Sequence, residues 1–266
     1  MRIVLGVEYD GSAFCGWQSQ TQACGVQDAL DAALTKVAGE SVVSSCAGRT
    51  DAGVHALAQV VHFDTTAQRL LSAWTRGTNA LLPEGVAVTW AKPVPQEFHA
   101  RFSATGRRYT YWLLSRPQRP GLLHQRVGWF HQALDIDAMY RASRCLIGEH
   151  DFSAFRSSQC QAKTPVKVLK ELNMARRGDM IRFEFFANAF LQHMVRNIIG
   201  SLVYVGCGRE PSTWLDELLQ SRDRTRAAPT FSPAGLYLAG VDYDPVWALP
   251  PRLKVESIED AILASA

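Results

Sequence analysis

The chain has 266 residues, 47% of them hydrophobic and 20% charged, with a formal net charge of +3. That balance excludes an intrinsically disordered polyelectrolyte and leaves material for one large or two smaller cores. Six lysines stand against 22 arginines, a bias toward the planar fork that suits phosphates and bases, although genomic composition produces the same bias.

Ile3, Leu5, Val7 and Tyr9 alternate with Arg2, Gly6 and Glu8, which predicts a half-buried strand that Asp10-Gly11 ends. Val26, Ala29, Leu30, Ala33, Leu34 and Val37 recur at helical spacing, with Gly39 as the stop. Alternation returns over 58–63. A helix containing Leu70, Leu71 and Trp74 follows, then a strand through Val86, Val88 and Trp90. From Arg101 a second series opens with a strand through Tyr109, Tyr111 and Leu113. A helix after Asp135 turns Ile136, Met139, Tyr140, Leu146 and Ile147 inward and stops at Gly148. Segments 166–174 and 181–186 read as a hairpin turned at Arg177-Gly178-Asp179. Leu191, Met194, Val195, Ile198, Ile199, Leu202 and Val203 form the strongest helical stripe, with His193, Arg196 and Asn197 on the other side. Ser257-x-x-Asp260 is the start signal of a short final helix. Tyr9-Asp10-Gly11-Ser12-Ala13-Phe14 and Phe186-Ala187-Asn188-Ala189-Phe190 each leave a strand toward a helix, an echo consistent with a duplicated α+β unit.

Several chemistries lack their motifs. The six cysteines (Cys15, Cys24, Cys46, Cys145, Cys160, Cys207) include no Cys-x-x-Cys pair, which argues against zinc and against a small disulfide scaffold. No Gly-x-x-x-x-Gly-Lys-Ser/Thr occurs, and no Gly-x-Gly-x-x-Gly follows a strand, so no nucleotide cofactor is expected. The zinc-deaminase signature and the Gly-x-Ser-x-Gly elbow are missing too. Residues 1–9 lack the apolar core of a signal peptide, and the apolar run near 198–205 is too short to span a bilayer. The expectation is a cytoplasmic protein that uses ordinary side chains, with no metal and no membrane.

Between two predicted strands lies Gly48-Arg49-Thr50-Asp51-Ala52-Gly53-Val54-His55-Ala56. Alone, Thr-Asp-Ala-Gly describes a tight turn whose aspartate caps backbone amides while Arg49 is solvated. A glycine-lined loop also admits a substrate close to the backbone. These nine residues together resemble the signature of the tRNA pseudouridine synthase A family. Further blocks are similar in the same order: Tyr9-Asp10-Gly11-Ser12-Ala13-Phe14-Cys15-Gly16-Trp17-Gln18, then Phe98-His99-Ala100-Arg101-Phe102-Ser103-Ala104 with Arg108-Tyr109-Thr110-Tyr111. Asp151-Phe152-Ser153-Ala154-Phe155, Ala187-Asn188-Ala189-Phe190 with His193-Met194-Val195-Arg196-Asn197, and Gly235-Leu236-Tyr237-Leu238 complete the set, over about residues 3 to 245.

The resemblance implies isomerisation of uridine to pseudouridine at positions 38, 39 and 40 of tRNA, in a homodimer, with no cofactor. It gives Asp51 the essential role, by attack on C1′, by addition to the uracil ring or by way of a glycal. A cation must hold that carboxylate ionised in a dry pocket, and Arg49 is the candidate; it also suits a phosphate. Tyr109 is assigned to stacking on the everted uracil. Arg196 is assigned to the active-site cleft. Arg107, Arg108, Lys163 and Lys167 are candidate phosphate contacts. His55 and His62 are expected to be structural, and Cys160 a packing element of its loop. The expected fold is α+β: two related halves, each a mainly antiparallel sheet with helices on one face, forming a central cleft. The boundaries are 1–104, 105–250 and a tail 251–266. A tRNA-binding protein or chaperone without catalysis is the alternative, and a glycoside hydrolase would require a second carboxylate.

Overall fold

A computed structural model describes residues 1–251; the helix start expected at Ser257 lies outside them. In chain order the elements are β1 (Arg2–Tyr9), α1 (Val26–Ala38), β2 (Ser45–Cys46), β3 (His55–Asp64), β4 (Val86–Val94), β5 (Ala104–Ser115), β6 (Gly128–Phe130), α2 (Ile136–Ser143), β7 (Gly148–Asp151), β8 (Val166–Arg177), β9 (Met180–Ala187), α3 (Met194–Gly206), α4 (Trp214–Ser221) and β10 (Leu236–Tyr243). They make an α+β protein of two compact units. Among the described residues, one contains Met1–Thr105 and the segment 237–251, the other Gly106–Leu236. A single cut at 104/105 puts 237–250 in the second unit; the chain instead returns β10 to the first. Long-range pairing of this kind leaves no local sequence signal.

In the first unit the strand order is β4-β1-β3-β10, with β2 on β3. β1 is antiparallel to both β3 and β4, while β10 runs parallel to β3. The alternation expected of β1 is not found: Ile3, Val4, Leu5 and Val7 are all buried. β1 is a middle strand covered on both faces, and such strands read as continuous apolar runs. Gly6 makes room for the Trp90 indole, since a Cβ there would lie 2.1 Å from Nε1.

α1 begins where the Asp28 carboxylate accepts the Gly25 amide at 2.8 Å, satisfying one orphan donor of the first turn. It ends at Gly39, whose φ of 77° suits glycine. Val26, Leu30, Ala33 and Leu34 form its buried face. Around Ala73–Gly77 the backbone winds in a wide π turn. Trp74 is buried there, edge-on to Phe63 at 5.2 Å between ring centres. Leu70 and Leu71, expected in one helix with Trp74, are exposed; the segment buries one large side chain, not a stripe.

The second unit is a sheet in the order β5-β9-β8-β7, antiparallel throughout, with β6 parallel to β5. The β8–β9 hairpin turns where expected, at Gly178, with φ of 58°. In α2, Met139 is buried, but Tyr140 is exposed, not inward as its apolar body suggested. α3 carries the expected apolar stripe, yet its other side is not wholly solvated, because Asn197 is completely buried. Its amide donates to the Phe155 carbonyl at 2.8 Å, and its oxygen accepts from Thr230 at 2.7 Å and Arg224 at 3.1 Å. No helix among the described residues is long and apolar enough to cross a membrane.

Candidate active site

The 48–54 loop leaves β2 and enters β3, and its turn is closed by the Val54 amide on the Asp51 carbonyl at 3.1 Å. Gly53 supplies the left-handed residue, with φ of 76°. Asp51 is half-buried, Thr50 is buried and Arg49 is exposed. The turn thus forms, and it leaves the carboxylate partly open.

What fixes the loop is the block after β1. Tyr9 Oη and Thr50 Oγ1 share a buried hydrogen bond of 2.7 Å. The Trp17 amide donates to the Thr50 carbonyl at 3.0 Å. Gly16, with φ of 97°, presses its bare Cα on the loop; a Cβ there would stand 2.7 Å from the Thr50 oxygen and 3.1 Å from the Asp51 carbonyl carbon. Gly11 does the same one step on, where a Cβ would be 1.9 Å from the Val54 oxygen. From β3, Gln59 donates to the Gly48 carbonyl at 2.7 Å. Residues some 40 positions apart in sequence therefore hold Asp51 from beneath. Tyr9, Gly16 and Thr50 carry no functional role in the sequence reading, and the one signal for them was their place in the quoted blocks.

His55 stands at the end of the loop, 2% exposed, stacked on Tyr237 of β10 at 4.6 Å. Its Nδ1 lies 3.1 Å from the Gly11 amide and 3.0 Å from Asp10 Oδ1. It accepts from the first when unprotonated and donates to the second when protonated, so the tautomer selects the bond. His62 accepts the Ala100 amide at 3.2 Å, and burial pushes its pKa down to about 4, with His99 and Arg2 adding to the effect. Both histidines are built into the sheet.

Arg49 and Arg101 both lie near Cys46, where their positive charge opposes the burial that pushes the thiol up to about 12. The second guanidinium, Arg101, was not singled out as a site residue. It sits beside exposed Phe102, with its guanidinium carbon 5.6 Å from the ring centre.

The remaining predicted residues belong to the second unit. Tyr109 on β5 is 9% exposed and meets Phe190 edge-on at 5.0 Å. Arg196, half-buried on α3, donates through Nε to the Phe231 carbonyl at 2.8 Å, and the Phe231 amide returns a bond to the Arg196 carbonyl at 3.2 Å. Arg107 donates to the Asn188 carbonyl at 3.0 Å. Arg108 lies over the Phe186 ring at 3.7 Å and reaches Glu171 at 3.5 Å. Lys163 is exposed.

Lys167 is not the solvated cation that a phosphate contact needs. It is 8% exposed, and its ammonium donates to the Thr164 and Val166 carbonyls at 2.8 Å each. Burial lowers its pKa. Cys160 is tied into its loop, accepting the Gln192 amide at 3.4 Å while its carbonyl takes Arg156 at 2.6 Å. Cys15 and Cys24 are joined by a disulfide, whereas Cys46, Cys145, Cys160 and Cys207 are free. The bridge was not anticipated from cysteine spacing.

A family model described as tRNA pseudouridine synthase matches residues 6–103 and 142–244. The tRNA pseudouridine synthase A of Dechloromonas aromatica (strain RCB) is 59% identical over 250 residues, 94% of this chain and 95% of that protein. Its namesake from Nitrosomonas eutropha is 57% identical over 94% of this chain and 90% of that protein. A solved structure of a Cbf5-Nop10-Gar1 complex aligns at 12% identity and a TM-score of 0.37, over 89% of this chain and 48% of that longer one.

Proposed function

Because the chain belongs to the tRNA pseudouridine synthase family, we propose that it isomerises uridine at positions 38, 39 and 40 in the anticodon stem-loop, with Asp51 as the essential carboxylate. The reaction breaks the C1′–N1 bond, turns the freed uracil and rejoins it through C5. No atom enters or leaves, so a positioned carboxylate and a base-holding pocket suffice. The observation that carries this reading is the bracing of the Asp51 loop. Tyr9, Trp17, Gly16 and Gln59 fix its backbone while Asp51 itself stays half-exposed. Preorganisation of this kind is what a nucleophile requires and a simple turn does not.

In the same reading Arg49 stabilises the ionised Asp51 or takes a phosphate, and Arg196 binds the substrate. Tyr109 stacks on the everted base, a role favoured over proton removal because an unperturbed phenol titrates near ~10. Arg107, Arg108 and Lys163 contact the RNA backbone, the enzyme works as a cytoplasmic homodimer, and no cofactor takes part. The buried, carbonyl-bonded Lys167 is left out of this set.

Tritium release from C5-labelled uridine in tRNA tests the assignment. Wild-type protein releases it without added cofactor, a binder releases none, and a glycoside hydrolase leaves an abasic site. Asp51→Ala is expected to bind tRNA with unchanged affinity and to release nothing; an active Asp51→Ala protein refutes the role of Asp51.

A further inference from the structure

We propose that the Cys15–Cys24 disulfide is a reversible redox modification site that sets the rigidity of the Asp51 loop, a control that rests on Asp51 carrying the reaction. The two Cα atoms lie 5.4 Å apart, within the span that a bridge accepts without backbone movement. Cys15 is exposed and Cys24 half-buried, so a reductant reaches the bond from solvent.

The position of the bridge gives it leverage. Gly16 and Trp17, the residues next to Cys15, are the two that press on and hydrogen-bond to the Thr50–Asp51 backbone. The Val26 amide on the Gly16 carbonyl (3.1 Å) and the Gln27 amide on the Trp17 carbonyl (2.9 Å) tie the same pair to α1. The disulfide closes this path covalently, from the loop under Asp51 to the first turn of α1. Opening it leaves the path to backbone hydrogen bonds alone, these two and the Cys15 amide on the Cys24 carbonyl at 2.9 Å. Among cytosolic proteins of mesophiles, disulfides are rare, and those that occur are usually transient, catalytic or redox-sensing.

The exchange balances with a dithiol reductant. Its thiolate attacks Cys15 Sγ, the Cys15–Cys24 bond breaks, and Cys24 leaves as a thiolate that takes a proton from water. The second thiol then attacks the mixed disulfide, releasing Cys15 as a thiol and the reductant as its own disulfide. Attack falls on Cys15 Sγ because Cys15 is the exposed residue of the pair and Cys24 is half-buried.

The test begins with protein equilibrated in air, denatured in an alkylating reagent and digested. Cys15 and Cys24 are expected as one cross-linked peptide pair, labelled only after dithiothreitol, while the other four cysteines label throughout. Reduction is expected to speed exchange of the Trp17 amide on the order of tenfold and to lower the rate of pseudouridine formation on the order of fivefold. Cys15→Ser/Cys24→Ser should match the reduced protein and ignore dithiothreitol. The switch is refuted if Cys15 and Cys24 label without reductant, or if bridged, reduced and double-variant proteins exchange Trp17 alike. It is refuted equally by a rate that does not respond to dithiothreitol. Should no form make pseudouridine, the assigned reaction is wrong, and amide exchange still decides whether the bridge clamps the loop.

Discussion

Replacing Gly16 with alanine is the most discriminating steric perturbation of the site. The new Cβ would fall 2.7 Å from the Thr50 oxygen and 3.1 Å from the Asp51 carbonyl carbon, both backbone atoms that no rotamer change can move away. Restoring ordinary contact requires the two loops to part by ~0.7 Å, and a 1 Å misplacement near reacting groups costs ~10²-fold, so turnover should fall on the order of 25-fold. The φ of 97° adds a backbone penalty of ~1–2 kcal/mol to stability. Gly39→Ala separates the two effects. Its φ of 77° is similarly unsuited to alanine, but the nearest atom to its Cβ is an Arg69 guanidinium nitrogen at 3.8 Å. That variant should lose ~1 kcal/mol with turnover within about twofold of wild type. Urea midpoints and initial tritium-release rates at saturating tRNA measure both quantities. If Gly16→Ala turns over at the wild-type rate, or if the two variants lose activity in proportion to stability, the bracing does not position Asp51.

Asp31 on α1 is half-buried and accepts the Ser44 amide at 3.0 Å, but burial outweighs that bond and raises its pKa to about 6. A raised carboxylate favours the fold most below its unfolded value of ~3.9 and loses that contribution as pH rises through about 6. Asp31→Asn should therefore be more stable than wild type at pH 8, by up to ~2 kcal/mol after partial solvent screening, with the gain vanishing near pH 4; a gain that does not change with pH contradicts the assignment. Asn197→Ala removes a buried side chain that bonds Phe155, Thr230 and Arg224. A loss of ~2–4 kcal/mol in denaturant unfolding is expected, because three polar groups lose a partner; a loss under ~1 kcal/mol means that water replaces the amide.

Element types were largely legible because periodicity is local. The stripe on α3 and the turn at Gly178 depend on residues within a few positions of one another, and each stands where its pattern placed it; β5 is a strand as expected, but it is buried continuously over 109–115 and does not alternate. Burial was less legible. The leucines at 70 and 71 look like core yet face solvent, and Asn197 looks like surface yet is enclosed, because packing is decided by partners remote in sequence. The candidate loop was found through its motif, but what supports it was not. The Tyr9–Thr50 bond and the Gly16 contact join segments that only the β1–β3 pairing brings together. Lys167 and Arg108 show the same limit for charge: a cation in a sequence says nothing of the carbonyls or rings that already engage it.

The return of β10 to β3 bears on how the protein is made. Tyr237 and Leu238 pair with His55 and Ala56, partners separated by most of the chain. At ~5–20 residues per second, a ribosome needs roughly 7–26 s to carry synthesis from Thr105 to Tyr237. Throughout that interval the nascent first unit lacks a strand, and the His55–Ala56 edge is open to mispairing. Contacts of such separation also slow folding once synthesis ends. A fragment stopping at Thr105 would keep the Asp51 loop but lack Tyr237, the ring on which His55 rests, so this N-terminal fragment should be aggregation-prone when produced alone.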